Sequence, residues 1–435
     1  MTDMGKRWGI GDMMKAVYDP NGDGIIAVAQ TVADMSKAVY DQENDGIIEN
    51  SAKLQGSSRA EVQAHAPLTH THTEAAITDL DHNAQKIKSV EVDDTDKDDL
   101  KILQYKPVSG KLEYESVSIL LKQILISNWT TRKSDGDEDW RSVCWSPELE
   151  LFCAVADSAG GNTIMTSPDG FEWTARTPTT ANAWHGVCWS PELGLFCTVS
   201  TTGTNTRVMT SPDGITWTTQ TSSVDNNWYS VCWSPELTLF CAVATSGTND
   251  SVMTSPDGVN WTTQTSPNGN NWEAVCWSPE LLLFCAVASS GTNDRIMTSP
   301  DGVTWTLQTN PDDNSWRRVC WSPELTLFCA VASTGTNDRV MTSPDGVNWT
   351  ARDAAAENDW YGVCWSPELL LFCAVSYSGT NDRIMTSPDG VNWTSRPSSI
   401  DNNWMEVCWS PLLLIFCAVA ASGTNTRVMT SFLTV

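Results

Sequence analysis

Residues 228–264 read WYSVCWSPELTLFCAVATSGTNDSVMTSPDGVNWTTQ, and six variants of this stretch occur elsewhere in the second part of the chain. The tryptophan that opens each copy recurs every 44 residues, with no insertion, at Trp140, Trp184, Trp228, Trp272, Trp316, Trp360 and Trp404. A strict period of this length is typical of an array of identical supersecondary units. The repeat therefore decides the fold of residues 128–435.

Each copy is predicted to form four short strands. In the first copy these are 143–145, 151–156, 163–166 and a strand that begins at Trp173. Ser167-Pro168-Asp169-Gly170 suits a type I turn before the last strand, with Pro and Gly at their favoured positions and an Asp that bonds nearby backbone N–H groups. Four strands in about 44 residues are typical of a β-propeller blade.

The two ends of the array complement each other. The seventh copy stops at Met429-Thr430-Ser431-Phe432 and lacks the last strand, while Asn128-Trp129-Thr130-Thr131 supplies such a strand before the first copy. Pairing these segments removes the open edges of the ring. The sequence therefore predicts an all-β fold, a seven-bladed propeller over 128–435 that an N-terminal strand closes.

The composition excludes several classes of function. The chain of 435 residues has 26 Lys+Arg against 53 Asp+Glu, a net charge of −27, which disfavours nucleic-acid binding. The chain contains no run of 18 apolar residues, so no transmembrane helix is expected, and residues 1–8 show no apolar secretion signal. We expect the chain to be made in a cytoplasm.

All 14 cysteines lie in the repeats, as pairs across the first and second predicted strands: Cys144/Cys153, Cys188/Cys197, Cys232/Cys241, Cys276/Cys285, Cys320/Cys329, Cys364/Cys373 and Cys408/Cys417. A zinc site is disfavoured because CxxC spacing and histidine partners are missing. Cross-strand disulfides would require an oxidising compartment. The favoured interpretation is reduced thiols that act as small apolar side chains between blades.

The turns of the repeat, such as Ser255-Pro256-Asp257-Gly258-Val259-Asn260-Trp261, resemble the Asp-box of sialidase-like propellers, with one residue fewer between Asp and Gly. In that family the box is a folding device. Sialidase chemistry would need three convergent arginines, an activated tyrosine and a carboxylic acid. Instead, five arginines occupy equivalent repeat positions: Arg207, Arg295, Arg339, Arg383 and Arg427. Because the propeller also has a single histidine, we expect no enzymatic activity.

Residues 15–26 and 37–48 form an N-terminal repeat with a period of 22 residues. Asp19, Asn21 and Asp23 resemble the start of a calcium loop, but Gln30 and Ala52 stand where the closing carboxylate belongs. The favoured interpretation is an Asp/Gly turn, and no cofactor is expected. Farther along, residues 103–112 predict a hairpin with a Pro/Ser/Gly turn.

Four of the five histidines fall within residues 65–82. His70 and His72 would point to the same side of a strand, so three parallel chains could place both around one metal ion on a trimer axis. The alternative, which we favour, is a polar His/Thr linker.

The Y-D-x-x-x-D-G-I-I segments, the H-T-H-T-x-x-x-I-T-D-L stretch at 70–80 and the Y-x-x-x-S-G-K-L hairpin together resemble the N-terminal and stalk regions of tailed-bacteriophage fibre proteins. The resemblance covers residues 1–127. It implies a virion-attachment segment at 1–55 and a stalk at 56–127, elongated, of mixed structure and trimeric. It also implies a virion protein made in the bacterial cytoplasm, with other virion proteins as partners and a distal domain that faces outward.

The residues that differ between copies identify a candidate binding surface. The first residue after the repeat tryptophan is Arg141, His185, Tyr229, Glu273, Arg317, Tyr361 or Met405. Of these, we select His185, Tyr229, Arg317 and Tyr361 as ligand contacts, because such side chains stack on sugars or anchor protein partners. Two residues before the tryptophan, an asparagine recurs as Asn182, Asn226, Asn270, Asn314, Asn358 and Asn402. These asparagines are either ligand contacts or caps at the strand entry, the latter being favoured.

These observations lead to one functional hypothesis and three alternatives. The hypothesis is a phage fibre protein whose propeller adheres to a host-surface glycan or protein. The alternatives are a structural head-fibre or baseplate decoration, a free propeller lectin and, least favoured, a glycoside hydrolase.

Overall fold

A computed structural model describes residues 72–73, 89–90, 101–106, 111–116, 128–158 and 161–431. The internal contacts of the chain divide it into two units, Met1–Leu121 with Val435, and Lys122–Thr434. The first unit contains four described strands: β1 (His72–Thr73), β2 (Ser89–Val90), β3 (Lys101–Lys106) and β4 (Lys111–Ser116). Strands β3 and β4 pair antiparallel with Lys106 opposite Lys111, which is the predicted hairpin. The predicted Asp/Gly turn, with its resemblance to the start of a calcium loop, and His70 lie outside the described residues.

The second unit is a ring of seven four-stranded antiparallel sheets, which confirms the predicted propeller. A single strand, β5 (Trp129–Arg132), precedes the blades. Blades 1 to 3 comprise β6 (Trp140–Ser146), β7 (Leu151–Ala156), β8 (Ile164–Ser167) and β9 (Thr174–Arg176); β10 (Trp184–Ser190), β11 (Leu195–Ser200), β12 (Val208–Ser211) and β13 (Thr218–Gln220); and β14 (Trp228–Ser234), β15 (Leu239–Ala244), β16 (Val252–Ser255) and β17 (Thr262–Gln264). Blades 4 and 5 comprise β18 (Trp272–Ser278), β19 (Leu283–Ala288), β20 (Ile296–Ser299) and β21 (Thr306–Gln308); and β22 (Trp316–Ser322), β23 (Leu327–Ala332), β24 (Val340–Ser343) and β25 (Thr350–Arg352). Blades 6 and 7 comprise β26 (Trp360–Ser366), β27 (Leu371–Ser376), β28 (Ile384–Ser387) and β29 (Thr394–Arg396); and β30 (Trp404–Ser410), β31 (Ile415–Ala420) and β32 (Val428–Ser431).

Strand β5 completes blade 7, as the sequence predicted. It pairs antiparallel with β32, so that Trp129 lies opposite Ser431 and Arg132 opposite Val428. The indole of Trp129 is buried and stacks on Phe416 with ring centroids 6.3 Å apart. The ring is therefore closed by backbone pairing and by a buried aromatic contact.

The turn before the fourth strand is held by its own polar groups. In blade 3, Asp257 Oδ1 accepts hydrogen bonds from the backbone N–H groups of Val259 (2.9 Å) and Asn260 (2.8 Å). Ser255 Oγ accepts from the Gly258 N–H at 2.8 Å, and the indole of Trp261 donates to the Gly258 carbonyl at 2.9 Å. The sequence predicted this role for the aspartate.

The core lies between blades, where each sheet packs on the face of the next. Cys241, Val243 and Val252 of blade 3 contact Trp272 and its neighbours in blade 4. The 14 cysteines are unpaired in this structure, and each cluster between blades contains one buried and one partly buried cysteine, as expected for small packing residues. A polar contact also joins six of the seven pairs of neighbouring blades: in one example Trp233 donates from its indole to Glu192 of the preceding blade at 2.5 Å. Between blades 7 and 1 the contact is missing, because Leu412 stands at the position of the glutamate and the Trp145 indole has no acceptor among the described residues.

The propeller has two unlike faces. Turns between the first and second and between the third and fourth strands lie on one face, which carries 14 of the 16 exposed large apolar side chains within 128–431. The opposite face carries the loops between second and third strands and those that connect successive blades. Trp129 and Ser431 lie at the former face, where the chain enters and leaves the ring. Within the described part of the chain, no helix has the length and apolarity needed to cross a membrane.

Candidate functional site

A β-bulge near the start of each first strand positions the variable residues. In blade 3, Trp228 lies opposite Ala244 and Ser230 opposite Val243, so Tyr229 has no partner in the register. A bulge leaves one residue outside the ladder and redirects its side chain. The same shift occurs in all seven blades. The bulged residues are Arg141, His185, Tyr229, Glu273, Arg317, Tyr361 and Met405.

All seven bulged side chains meet in one pocket. Together with Arg318 they line a cavity of about 120 Å³ on the face that carries the blade-connecting loops. A cavity of about 150 Å³ accepts benzene, so this pocket matches one six-membered ring or a group of similar size. The structure thus brings together the four contacts selected from the sequence. Selection by residue type missed Arg141, Glu273, Arg318 and Met405, although the shared repeat position would have identified three of them.

One wall of the pocket is a pair of rings in contact, tilted by 31° to each other, whose imidazole is held by polar groups. The centroids of His185 and Tyr229 lie 4.0 Å apart. His185 Nε2 is 3.1 Å from Asp157 Oδ2, and Arg141 Nη2 is 3.4 Å from the same oxygen. Burial lowers the pKa of His185, while the hydrogen bond with His185 lowers the pKa of Asp157. The imidazole is therefore a neutral, oriented ring near pH 7.

A second wall is built around Arg317. Its Nη1 donates to Glu273 Oε1 at 2.8 Å, and its Nε donates to Ser333 Oγ at 2.9 Å. The guanidinium carbon lies 5.0 Å from the ring centroid of Tyr361, which in turn lies 5.4 Å from that of Tyr377. Hydrogen bonds and a cation–π contact hold this guanidinium in place.

Below these walls lies an ion pair between two residues, each of which directly follows a bulged residue, one in blade 5 and one in blade 7. Arg318 Nη2 contacts Glu406 Oε2, and Glu406 Oε1 accepts a 3.2 Å hydrogen bond from the Val407 N–H. Burial raises the pKa of Glu406 to about 7, although Arg318 acts in the opposite direction. Glu273 is also buried, and burial raises its pKa.

The six repeated asparagines are not part of the pocket lining, which corrects their selection as ligand contacts. Five of them are buried and Asn270 is half-buried, and the amide of each donates to the backbone carbonyl of the residue 24 positions later. Asn226, for example, bonds the Asp250 carbonyl at 2.8 Å. A Cβ on Gly247 would lie 2.7 Å from the same amide nitrogen, which explains the glycine in this loop. Asn182, Asn226, Asn270, Asn314, Asn358 and Asn402 thus join two loops of their own blade.

The five equivalent arginines also connect loops. Arg207 donates to the carbonyl oxygens of Gly203, Thr201 and Asn226, the last at 2.8 Å in the loop before the next blade. Arg295, Arg339, Arg383 and Arg427 make the same contacts in their blades. They do not line the pocket. This agrees with their equivalent positions in the repeat, which indicate a role in the structure of each blade.

A metal site is not found among the described residues, which contain no cluster of three His, Cys, Asp or Glu side chains suited to one. His72 begins strand β1, while His70 lies outside the described residues. The metal site on a trimer axis stays a prediction.

Comparisons with known proteins support the fold. No family model and no curated protein match the chain. The Cps50 (Swd1) β-propeller domain of Myceliophteria thermophila superposes with a TM-score of 0.53 and 10% identity over 71% of this chain and 100% of the other. The GH74 enzyme of Niastella koreensis gives a TM-score of 0.55 and 14% identity over 69% of this chain. This chain matches only 53% of that enzyme's length. At these identities the similarity shows a β-propeller and nothing further.

Proposed function

We propose that the chain is a tailed-bacteriophage fibre protein whose propeller binds a host-surface receptor, a glycan or a protein, in the pocket formed by the bulged residues. One observation carries the proposal. Seven blades share the residues that build them, yet the position that the bulge turns toward the pocket has five different residue types in seven copies. Divergence at a position whose seven side chains line one pocket is what a recognition site requires.

The chemistry of the pocket favours binding over catalysis. It contains arginines, tyrosines and carboxylates, which are the types that sialidase chemistry uses. However, burial raises the pKa values of Tyr229 and Tyr361, whereas a nucleophilic tyrosine needs a lowered pKa. Glu273 and Glu406 are each paired with an arginine and are only 9% exposed, so little of either carboxylate is presented to a bound substrate. We infer a non-enzymatic protein without a required cofactor.

The position of the chain entry also supports adhesion. Trp129, the first residue of β5, lies at the face opposite the pocket. A receptor-binding tip needs this arrangement, with attachment at one face and recognition at the other.

The remaining features of the proposal follow from the fibre resemblance. We propose a homotrimer formed by residues 1–127, a location in the virion and contacts with other virion proteins. Light scattering of the full chain should give three times the mass of 47.6 kDa. A monomer in solution would rule out the trimeric stalk while leaving the pocket proposal intact.

The receptor-binding proposal is tested with the full chain on host cells and on a glycan array. The variant Tyr229→Ala/Arg317→Ala/Tyr361→Ala should fold and lose attachment. A matched variant, Thr219→Ala/Arg352→Ala/Thr263→Ala, alters three side chains of outer strands and should attach normally. If the folded pocket variant still attaches, the structural-decoration alternative gains. If attachment is confirmed but purified virions lack the protein, it is a free lectin.

A further inference from the structure

Arg141 is the least satisfied of the arginines that line the pocket. Its Nη2 lies 3.4 Å from Asp157 Oδ2 and its Nη1 lies 4.0 Å from the Met405 sulfur, both long contacts. Its Nε is buried and has no hydrogen-bond acceptor among the described residues. Arg317, by contrast, makes two hydrogen bonds shorter than 3.0 Å and a cation–π contact. Arg141 thus has donor capacity that the protein does not use.

Arg318 also has a hydrogen-bond donor that the protein does not use. Its Nη2 pairs with Glu406, but its Nε is buried and has no acceptor within the described part of the chain. A buried N–H group without an acceptor costs about 1–3 kcal/mol, more when it is charged. Both guanidinium groups line the same pocket and are partly exposed, so an acceptor that enters the pocket can use donor capacity that the protein leaves free.

The accessible charges of the pocket are mainly positive. The side chains of Arg141, Arg317 and Arg318 are 23%, 24% and 17% exposed, whereas those of Glu273 and Glu406 are each 9% exposed. Asp157 is the exception at 28%, and its Oδ2 is already engaged by His185 and approached by Arg141. A ligand therefore meets guanidinium groups with the glutamates behind them.

This local excess of positive charge lies in a chain whose net charge is −27. The field of the whole protein repels anions, yet charges farther away than about 8 Å are screened at physiological salt. The nearby guanidinium groups thus dominate at the pocket. Guanidinium groups bind carboxylate, phosphate and sulfate oxygens through parallel, charge-assisted hydrogen bonds.

We infer that the receptor group bound in this pocket is a ring-sized sugar that carries an oxyanion, a carboxylate, phosphate or sulfate, received by Arg141 together with Arg318. The inference rests on the proposed binding function of the pocket and names its ligand class. The sugar ring would lie against the rings of His185 and Tyr229, while the oxyanion accepts hydrogen bonds from the partly exposed guanidinium groups. The pocket volume of about 120 Å³ is below the volume of about 150 Å³ that accepts benzene, so it admits the charged group and part of one such residue of a longer glycan.

Calorimetry with the full chain tests this inference, using a hexuronate, a hexose 6-phosphate, a hexose 6-sulfate and the parent neutral hexose as four separate probes. At least one anionic probe should bind about tenfold or more tightly than the neutral hexose, as expected for one or two charge-assisted hydrogen bonds. The arms of the panel distinguish the three oxyanions. Raising the salt from about 50 to about 500 mM should weaken anion binding and leave neutral binding unchanged.

Variants separate this inference from the proposed function. Arg141→Met should remove the preference for the anion, Arg141→Lys should restore part of it, and Arg352→Met, an arginine loss on an outer strand, should have no effect. Circular dichroism confirms that each variant is folded. Equal binding of neutral and anionic probes, insensitive to Arg141→Met, overturns the inference but leaves a receptor pocket. Failure of every probe, with host attachment unaffected by the triple pocket variant, overturns both.

Discussion

The guanidinium of Arg317 donates a 2.8 Å hydrogen bond to the carboxylate of Glu273, the residue at the equivalent position one blade earlier. His185 and Tyr229 form a second contact of this kind, with ring centroids 4.0 Å apart. Neighbouring blades thus carry complementary residues where their bulges meet. Independent drift at each position would not favour such complementarity, so we infer that the lining residues of neighbouring blades depend on one another.

We expect a double-mutant cycle on Glu273→Gln and Arg317→Met to give a coupling energy of about 1–3 kcal/mol in urea unfolding. The double variant should lose less stability than the sum of the losses in the two single variants, because each single variant leaves one charged group without its partner. The pair Arg339–Asp359 serves as the control. Its ions are 3.0 Å apart, but Asp359 is 40% exposed, so its coupling should stay below about 1 kcal/mol. Equal couplings would contradict this account.

Closure of the ring predicts a sharp boundary in truncation experiments. Removing residues 1–121 should leave the melting temperature of the propeller unchanged, whereas removing residues 1–132 should lower it strongly. The longer deletion eliminates β5 and the buried Trp129, and loss of a buried aromatic side chain alone costs about 3–5 kcal/mol. Differential scanning calorimetry compares the two. Equal melting temperatures would show that β5 does not stabilise the ring.

The exact repeat made the fold predictable, because period, turn chemistry and the missing last strand all constrain the same closed ring. The candidate site was predictable only in part. Variation between copies pointed to the residue after each tryptophan, but nothing in the sequence showed the bulge that turns Tyr229 and its equivalents toward one pocket. The partnership of Arg318 with Glu406 joins blades 5 and 7 and depends on the diameter of the ring. The role of Asn226 was open because a buried amide and an exposed one look alike in sequence.

The cysteines should be unreactive in the folded protein. Burial raises the pKa of every cysteine, so little thiolate is available for alkylation. We expect mass spectrometry to find few labelled thiols under native conditions, and all 14 labelled after denaturation without a reductant. Each cysteine lies directly opposite its partner, as Cys232 does Cys241. A mass deficit for seven disulfides would therefore show that these pairs oxidise in the native protein.

Glu406 should make stability depend on pH. Its pKa is about 7 in the folded protein against 4.5 for the ordinary carboxyl group, so the protonated form is favoured by folding. Its stabilising contribution is complete below pH 4.5 and is lost as the pH rises through 7. Relative to Glu406→Gln, the wild type should lose up to about 3 kcal/mol of unfolding free energy over this range. Parallel curves for the two proteins would contradict the assignment.

The last prediction concerns a residue that lies behind the pocket. A Cβ on Gly186 would lie 2.8 Å from the carbonyl oxygen of Tyr229 and 3.0 Å from the Cα of Ser230, so Gly186→Ala must displace the bulge that carries Tyr229. Overpacking of this kind costs about 1–3 kcal/mol. The shift should also disturb the contact of Tyr229 with His185 and weaken receptor binding, although no lining side chain has changed.

Position 274 offers the matched control for this experiment. Blade 4 carries Ala274 at the place that Gly186 occupies in blade 2, and its methyl group is fully buried. Ala274→Gly should lower stability slightly by removing that methyl group, and should leave the His185–Tyr229 wall and the receptor affinity unchanged. Affinity measured on host cells or by calorimetry, with circular dichroism as the check of folding, decides between the two effects. If folded Gly186→Ala binds as tightly as the wild type, the His185–Tyr229 wall does not contribute to recognition, because the substitution acts on the pocket only through the backbone of Tyr229.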